Sequence, residues 1–120
     1  MFKLPFGVSA PVRTRQQPRI KQIAPRQLQA KINGNDLLLL DVRSPLEYQR
    51  GGHIAGSRLL PLPTLAQRSG ELPRDRTIVC ICRSGSRSMV ACEQLKQAGF
   101  DVVNLRGGVM GWEAAGYPLR

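Results

Sequence analysis

Cys82 opens the stretch "CRSGSRS", residues 82–88, directly behind the apolar run Thr77–Ile81. A thiol at a strand end followed by Arg83, Ser84, Gly85, Ser86, Arg87 and Ser88 has the parts of a nucleophile set in an anion cradle. Gly85 can take a positive φ and lets the loop curl. Curling turns successive backbone N–H groups inward, and a helix starting at Ser86 or Arg87 adds its positive end. The thiolate is the reactive form of cysteine, and such surroundings lower a thiol's pKa. Arg83 and Arg87 are expected to assist that shift and to collect an anionic substrate. Cys82 is therefore predicted to be the nucleophile.

The other two cysteines read differently. Cys80 lies inside the apolar strand and Cys92 on the apolar stripe of a helix, so both are expected to be inert core residues. Cys80 and Cys82 would project from the same face of a strand, but with Cα atoms roughly 6.5–7 Å apart, at the limit for a disulfide. Three cysteines cannot pair completely and lack zinc-type spacing. Free thiols point to a reducing, cytoplasmic setting. A targeting role for the basic N-terminal arm stays open.

Loop length separates two chemistries. Cysteine-dependent phosphatases use Cys-x₅-Arg, a loop sized for a tetrahedral oxyanion. Here Arg87 gives Cys-x₄-Arg, and Ser88 occupies the next position. The shorter loop suits one extra sulfur atom on the cysteine.

The elements that must position this loop alternate along the chain. "IKQIAP" reads as a short edge strand. "PRQLQAKING" reads as a helix with Pro25 in its first turn and Gly34 at its C-terminal cap. Asp36–Arg43 is continuously apolar up to its charged end, as in a strand buried on both faces. Ser44, Pro45 and Glu47 form a capping box, with Gly51 the stop. A short strand is expected at Ser57–Leu60, a short helix in "PTLAQRSGEL" and a second buried strand at Arg76–Cys82. The long helix follows from Ser86, with a stripe of Met89, Val90, Cys92, Leu95 and Lys96. A third strand at Val102–Leu105 and a closing helix in "VMGWEAAGYP" complete the pattern. Alternating strands and helices mean an α/β fold, with a parallel sheet covered on both faces. In such sheets the reactive crevice lies beyond the carboxyl ends of the strands, where Cys82 sits.

The chain carries a net charge of +10 over 120 residues. Residues 1–35 hold seven Lys or Arg and no acid, so 1–19 reads as a basic N-terminal arm and 20–120 as the single domain. The arm lacks the interleaved aromatics of a base-stacking segment, and no specific nucleic acid is expected. No apolar run is long enough for a transmembrane segment.

Residues about 20–120 resemble a single-domain rhodanese, a thiosulfate or persulfide sulfurtransferase. The pieces that carry the resemblance are "LLDVRSPLEYQRGGHIAGS", "IVCICRSGSRS" and "VVNLRGGVMGWEAAGYP", in order and spacing. It implies a doubly wound α/β domain with a five-stranded parallel sheet. It also implies a catalytic Cys82 at the head of a six-residue loop ending at Arg87, with no metal or organic cofactor. The cysteine would take sulfane sulfur from a small anionic donor such as thiosulfate, or from a persulfide. It would then hand it to cyanide, a thiol or a protein acceptor. Asp41 and Arg43 are expected to support the site structurally by pairing with neighbouring groups, including Glu47. His53 is expected to pin its loop rather than act as a base. Ser84 and Ser86 either contact the donor or face water. A sulfur-relay or regulatory module, and less readily a phosphatase-like enzyme, are the rival readings.

Overall fold

The computed structural model describes residues 19–120, so the arm assigned to residues 1–19 lies, but for Arg19, outside the described residues. Five strands form one sheet: β1 (Gln22–Ile23), β2 (Leu37–Asp41), β3 (Arg58–Leu59), β4 (Thr77–Ile81) and β5 (Val102–Leu105). Their order is β1-β5-β4-β2-β3, and every pairing is parallel. Each strand leads into helical structure: α1 (Pro25–Lys31), α2 (Pro45–Arg50), α3 (Leu65–Arg68) between two 3₁₀ turns, α4 (Ser86–Gln97) and α5 (Gly108–Ala114). The doubly wound α/β expectation is met.

Burial on both faces explains the continuous apolar strands. Ile78 and Cys80 of β4 point into a cluster with Ala91, Cys92, Leu95 and Phe100. Val79 and Ile81, pointing the other way, join Leu28, Leu105, Val109 and Trp112. Trp112 is core as expected, and its Nε1 donates to the Pro118 carbonyl at 2.9 Å.

Several local expectations shift. α1 ends at Lys31 with Ile32 as its cap, a turn before Gly34, so Gly34 belongs to the connection. The second buried strand covers Thr77–Ile81 and leaves Arg76 and Cys82 just outside. The stripe on α4 is rotated from the expected one. Its buried residues are Ser88, Ala91, Cys92 and Leu95, while Val90 is 42 % exposed and Lys96 is exposed. Apolarity alone misplaced the face because a buried hydroxyl, Ser88, belongs to it.

Candidate active site

Helix α4 begins at Ser86, and the residue before it, Gly85, has φ 109°. That left-handed turn curls the chain over Cys82 as the sequence requires. The Gly85 N–H donates to Cys82 Sγ at 3.0 Å. The Ser88 hydroxyl approaches the sulfur at 3.3 Å, and the Ser88 and Ser84 amides add to the stabilisation of its anion. Burial opposes ionisation of Cys82. The Ser88 hydroxyl and the amides of Ser88, Gly85 and Ser84 outweigh it and bring the thiol below its ordinary pKa. Hydrogen bonds to the anion, as the curled loop implies, are thus what lowers the thiol's pKa, and the Arg87 charge interacts with the same sulfur. Cys82 is 0 % exposed, so only a slender group, such as a terminal sulfur, can reach it.

Ser88 is itself held. Its hydroxyl lies within bonding distance of Asn104 Oδ1 at 2.5 Å and of the Gly85 carbonyl at 3.2 Å. Asn104 Nδ2 donates to that same carbonyl at 3.2 Å. Asn104 is 2 % exposed on β5, and the sequence reading did not single it out. Its signal was present: a lone amide in an otherwise apolar strand must find buried partners. Removing the Ser88 hydroxyl takes a hydrogen bond from the thiolate. Ser88→Ala is expected to move the pH midpoint of Cys82 sulfur loading upward and to slow loading about tenfold at neutral pH. Stopped-flow loading from pH 5 to 10 checks it.

The loop is braced from behind by α5. The Val109 N–H donates to the Cys82 carbonyl at 2.9 Å, and Met110 N–H to the Arg83 carbonyl at 3.0 Å. This close approach explains Gly108. It has φ +59°, and a Cβ there would stand 2.3 Å from the Cys82 oxygen. Gly108→Ala must push the active loop aside. It is expected to cost about 1–3 kcal/mol and most of the activity, read by urea unfolding alongside turnover.

The remaining predicted residues separate into two ion pairs. Arg43 grips Asp41 through Nε and an NH2 group, at 2.9 and 2.8 Å, and both residues are buried. Arg43 also donates to the Gly52 carbonyl at 2.7 Å. Asp41 and Arg43 therefore pair with one another and not with Glu47. Glu47 instead binds Arg87 in a two-point contact of 2.7 and 2.8 Å. Arg87 is thus committed to a protein carboxylate, whereas the sequence assigned it to an anionic donor. Arg83 is exposed and belongs to no ion pair among the described residues. Ser84 and Ser86 are exposed on the loop, the Ser84 amide turned to the sulfur.

Arg87 holds the Glu47 carboxyl down at about 2, from an ordinary 4.5. Because the folded-state pKa is lowered, this stabilisation is complete above about pH 4.5 and is lost as pH falls toward 2. Arg87→Gln is expected to flatten the decline of melting temperature in that window, measured by calorimetry.

His53 behaves as expected of a loop pin. Nδ1 contacts the Tyr48 carbonyl at 2.9 Å, and the ring stacks on Tyr48 with centroids 3.8 Å apart. Its backbone exchanges two hydrogen bonds with Arg120. Cys80 is a free, deeply buried thiol, and the neighbouring Cys92 thiol and burial push its pKa well up, so that it stays protonated. Among the described residues no His, Cys, Asp or Glu cluster could hold a metal.

The comparisons with known proteins agree with the fold. The rhodanese-like domain family matches residues 24–115. The chain belongs to the rhodanese-like family. It is 44 % identical over 85 residues to a sulfurtransferase of Allochromatium vinosum, covering 70 % of this chain and 78 % of that protein. It is 35 % identical over 96 residues to the thiosulfate sulfurtransferase GlpE of Pseudoalteromonas translucida, covering 79 % and 90 %. A crystal structure of a rhodanese-related protein from Thermoplasma volcanium superposes with a TM-score of 0.78 at 35 % identity, over 83 % of this chain and 97 % of the other. Some relatives are much longer, and the chain spans 24 % of the length of one of them.

Proposed function

We propose that this chain is a sulfurtransferase that carries a sulfane sulfur as a persulfide on Cys82. The observation that carries the reading is the convergence of backbone amides and the Ser88 hydroxyl on a single buried sulfur. Donors fixed in advance around a developing negative charge stabilise it without reorganisation.

The Cys82 thiolate attacks the outer sulfur of thiosulfate. A Cys82–sulfur bond forms, the donor's S–S bond breaks, and sulfite leaves with the bonding pair. The product is a Cys82 persulfide anion lying in the same amide cradle. A nucleophile, cyanide or a thiolate, then attacks the outer sulfur. The S–S bond to Cys82 breaks, and the thiolate is regenerated. Arg83, exposed at the loop and free of an ion pair among the described residues, is the guanidinium suited to draw in an anionic donor. No proton transfer is required, in keeping with a His53 held away in its own contacts.

A phosphatase reading is disfavoured by one feature. The position that would carry the phosphate-binding arginine is Ser88, buried and bonded to Asn104. The test is thiocyanate formation from thiosulfate and cyanide, with hydrolysis of an aryl phosphate in parallel. Thiocyanate without phosphate release is expected. The reverse result overturns the proposal.

A further inference from the structure

The Ser88 hydroxyl carries one proton and has three acceptors within reach: Asn104 Oδ1 at 2.5 Å, the Gly85 carbonyl at 3.2 Å and Cys82 Sγ at 3.3 Å. The Gly85 carbonyl is already served. It accepts from the Met89 N–H at 3.3 Å and from Asn104 Nδ2 at 3.2 Å, which fills both lone pairs of a carbonyl oxygen. The choice for the proton therefore lies between Asn104 and Cys82.

The orientation of the Asn104 amide follows from its surroundings. Its Nδ2 end faces two acceptors, the Gly85 carbonyl and Gln22 Oε1 at 3.4 Å. The reversed amide would set Oδ1 against the Gly85 oxygen, so it is Oδ1 that faces Ser88. An amide oxygen has no proton to give, and the contact is a bond only when the hydroxyl donates. Asn104 is 2 % and Ser88 0 % exposed, where a polar group left without a partner is costly. Strand β5 lies beside β4 and puts Asn104 in register with Cys80, two residues before the thiol.

The charge on Cys82 decides between the two acceptors. A hydrogen bond to an ionised acceptor is about twice as strong as a neutral one. A thiolate therefore draws the Ser88 proton away from the amide oxygen. A neutral sulfur, in the thiol or as the inner atom of a persulfide, is a weak acceptor, and the shorter contact to Asn104 prevails.

We propose that Asn104 is a positioning residue that acts on Cys82 through Ser88, holding the hydroxyl proton while the sulfur is neutral and yielding it when the sulfur is an anion. The inference rests on the reading of Cys82 as the reacting thiolate and adds to it how the stabilising donor is switched. As Cys82 takes up sulfur, the negative charge passes from Sγ to the outer sulfur, and the Ser88 O–H turns back to Asn104. As the outer sulfur is handed on, Sγ is the leaving group and regains the charge, and the O–H turns to it. The turn is a rotation about the Ser88 Cβ–Oγ bond, and no proton changes its heavy atom.

Other charged groups surround the thiol. Arg87 on α4 acts on the sulfur and is paired with Glu47 of α2. Arg83 stands in the loop, β4 brings Cys80, and β2 brings Asp41, held by Arg43. α5 meets the loop with the amides of Val109 and Met110, while Glu93 and Arg106 line the cavity that Asn104 shares with Ser84 and Gly85. None of these side chains bonds the Asn104 side chain among the described residues, so its effect is separable from theirs.

The test follows the ultraviolet absorbance of the Cys82 thiolate against pH, with Cys82→Ser as the blank. Asn104→Leu removes the competing acceptor and is expected to lower the titration midpoint by about one pH unit, the scale of one hydrogen bond. In the Ser88→Ala background the same substitution is expected to leave the midpoint where Ser88→Ala alone puts it. A midpoint raised by Asn104→Leu, or a shift that persists without Ser88, would overturn the proposal. The unaltered protein supplies a second readout that does not depend on a core variant folding. The side-chain amide resonance of Asn104, followed by nuclear magnetic resonance, is expected to move as Cys82 ionises and to lose most of that movement in Ser88→Ala. A resonance indifferent to the ionisation of Cys82 would overturn the proposal equally. If both readouts behave as expected while thiosulfate adds no sulfur, the sulfurtransferase reading falls and the role of Asn104 stands. A Cys82 that stays a thiol even at alkaline pH would remove both.

Discussion

Cys82→Ser is expected to lower thiocyanate formation from thiosulfate and cyanide by at least about 10³-fold, the scale on which removal of a nucleophile acts. The fold should survive, because a serine hydroxyl fits the same buried slot and can accept the Gly85 N–H. The loss is chemical. A hydroxyl stays protonated at neutral pH, and the amides that hold a thiolate cannot hold an alkoxide there. Neither neighbouring thiol can stand in. Cys80 is buried and stays protonated, with Cys92 as its partner. Cys80→Ser and Cys92→Ser should therefore keep turnover. Activity retained in Cys82→Ser, or lost only in the other two, would contradict the assignment.

The second large effect concerns stability. Asp41→Ala leaves Arg43, 2 % exposed, without its carboxylate. Breaking a buried pair on one side costs about 3–5 kcal/mol, because the remaining charge stays desolvated. Against a total stability of about 5–15 kcal/mol this brings the domain close to unfolding at ambient temperature. Arg43 would keep its bond to the Gly52 carbonyl, which limits the damage to the loop after α2. Asp41→Ala/Arg43→Met, which removes both charges, should recover much of the loss. Urea unfolding of the three proteins checks it. A single-variant loss below about 1 kcal/mol would place the pair on the scale of a surface contact.

Much of this site was legible in the sequence because its signals are local. A thiol at a strand end, a glycine three residues on and a helix start directly after it specify the cradle by backbone geometry alone. The Ser44–Glu47 capping box was readable for the same reason, and both of its hydrogen bonds form. What sequence could not supply was partner choice across the sheet. Glu47 and Arg87 are 40 residues apart and meet only because β2 and β4 are neighbours whose following helices start side by side. Asn104 reaches Ser88 because β5 lies beside β4, with Asn104 in register with Cys80. The stripe on α4 was misjudged through that same contact, since Ser88 is buried for its hydrogen bonds rather than its apolarity. The lowered thiol pKa was expected from the amide cradle with help from Arg83 and Arg87, and Arg87 divides its charge between Cys82 and Glu47. Counting arginines in a loop does not reveal that one of them is already paired.

The proposed role of Cys82 is that of sole sulfur carrier. It is tested most directly by treating the protein with thiosulfate, recording the intact mass, and mapping the added atom by proteolysis under non-reducing conditions. A gain of one sulfur atom is expected, located on the peptide that contains Cys82 and discharged by cyanide. A gain located on Cys80 or Cys92, or no gain at all, would contradict it.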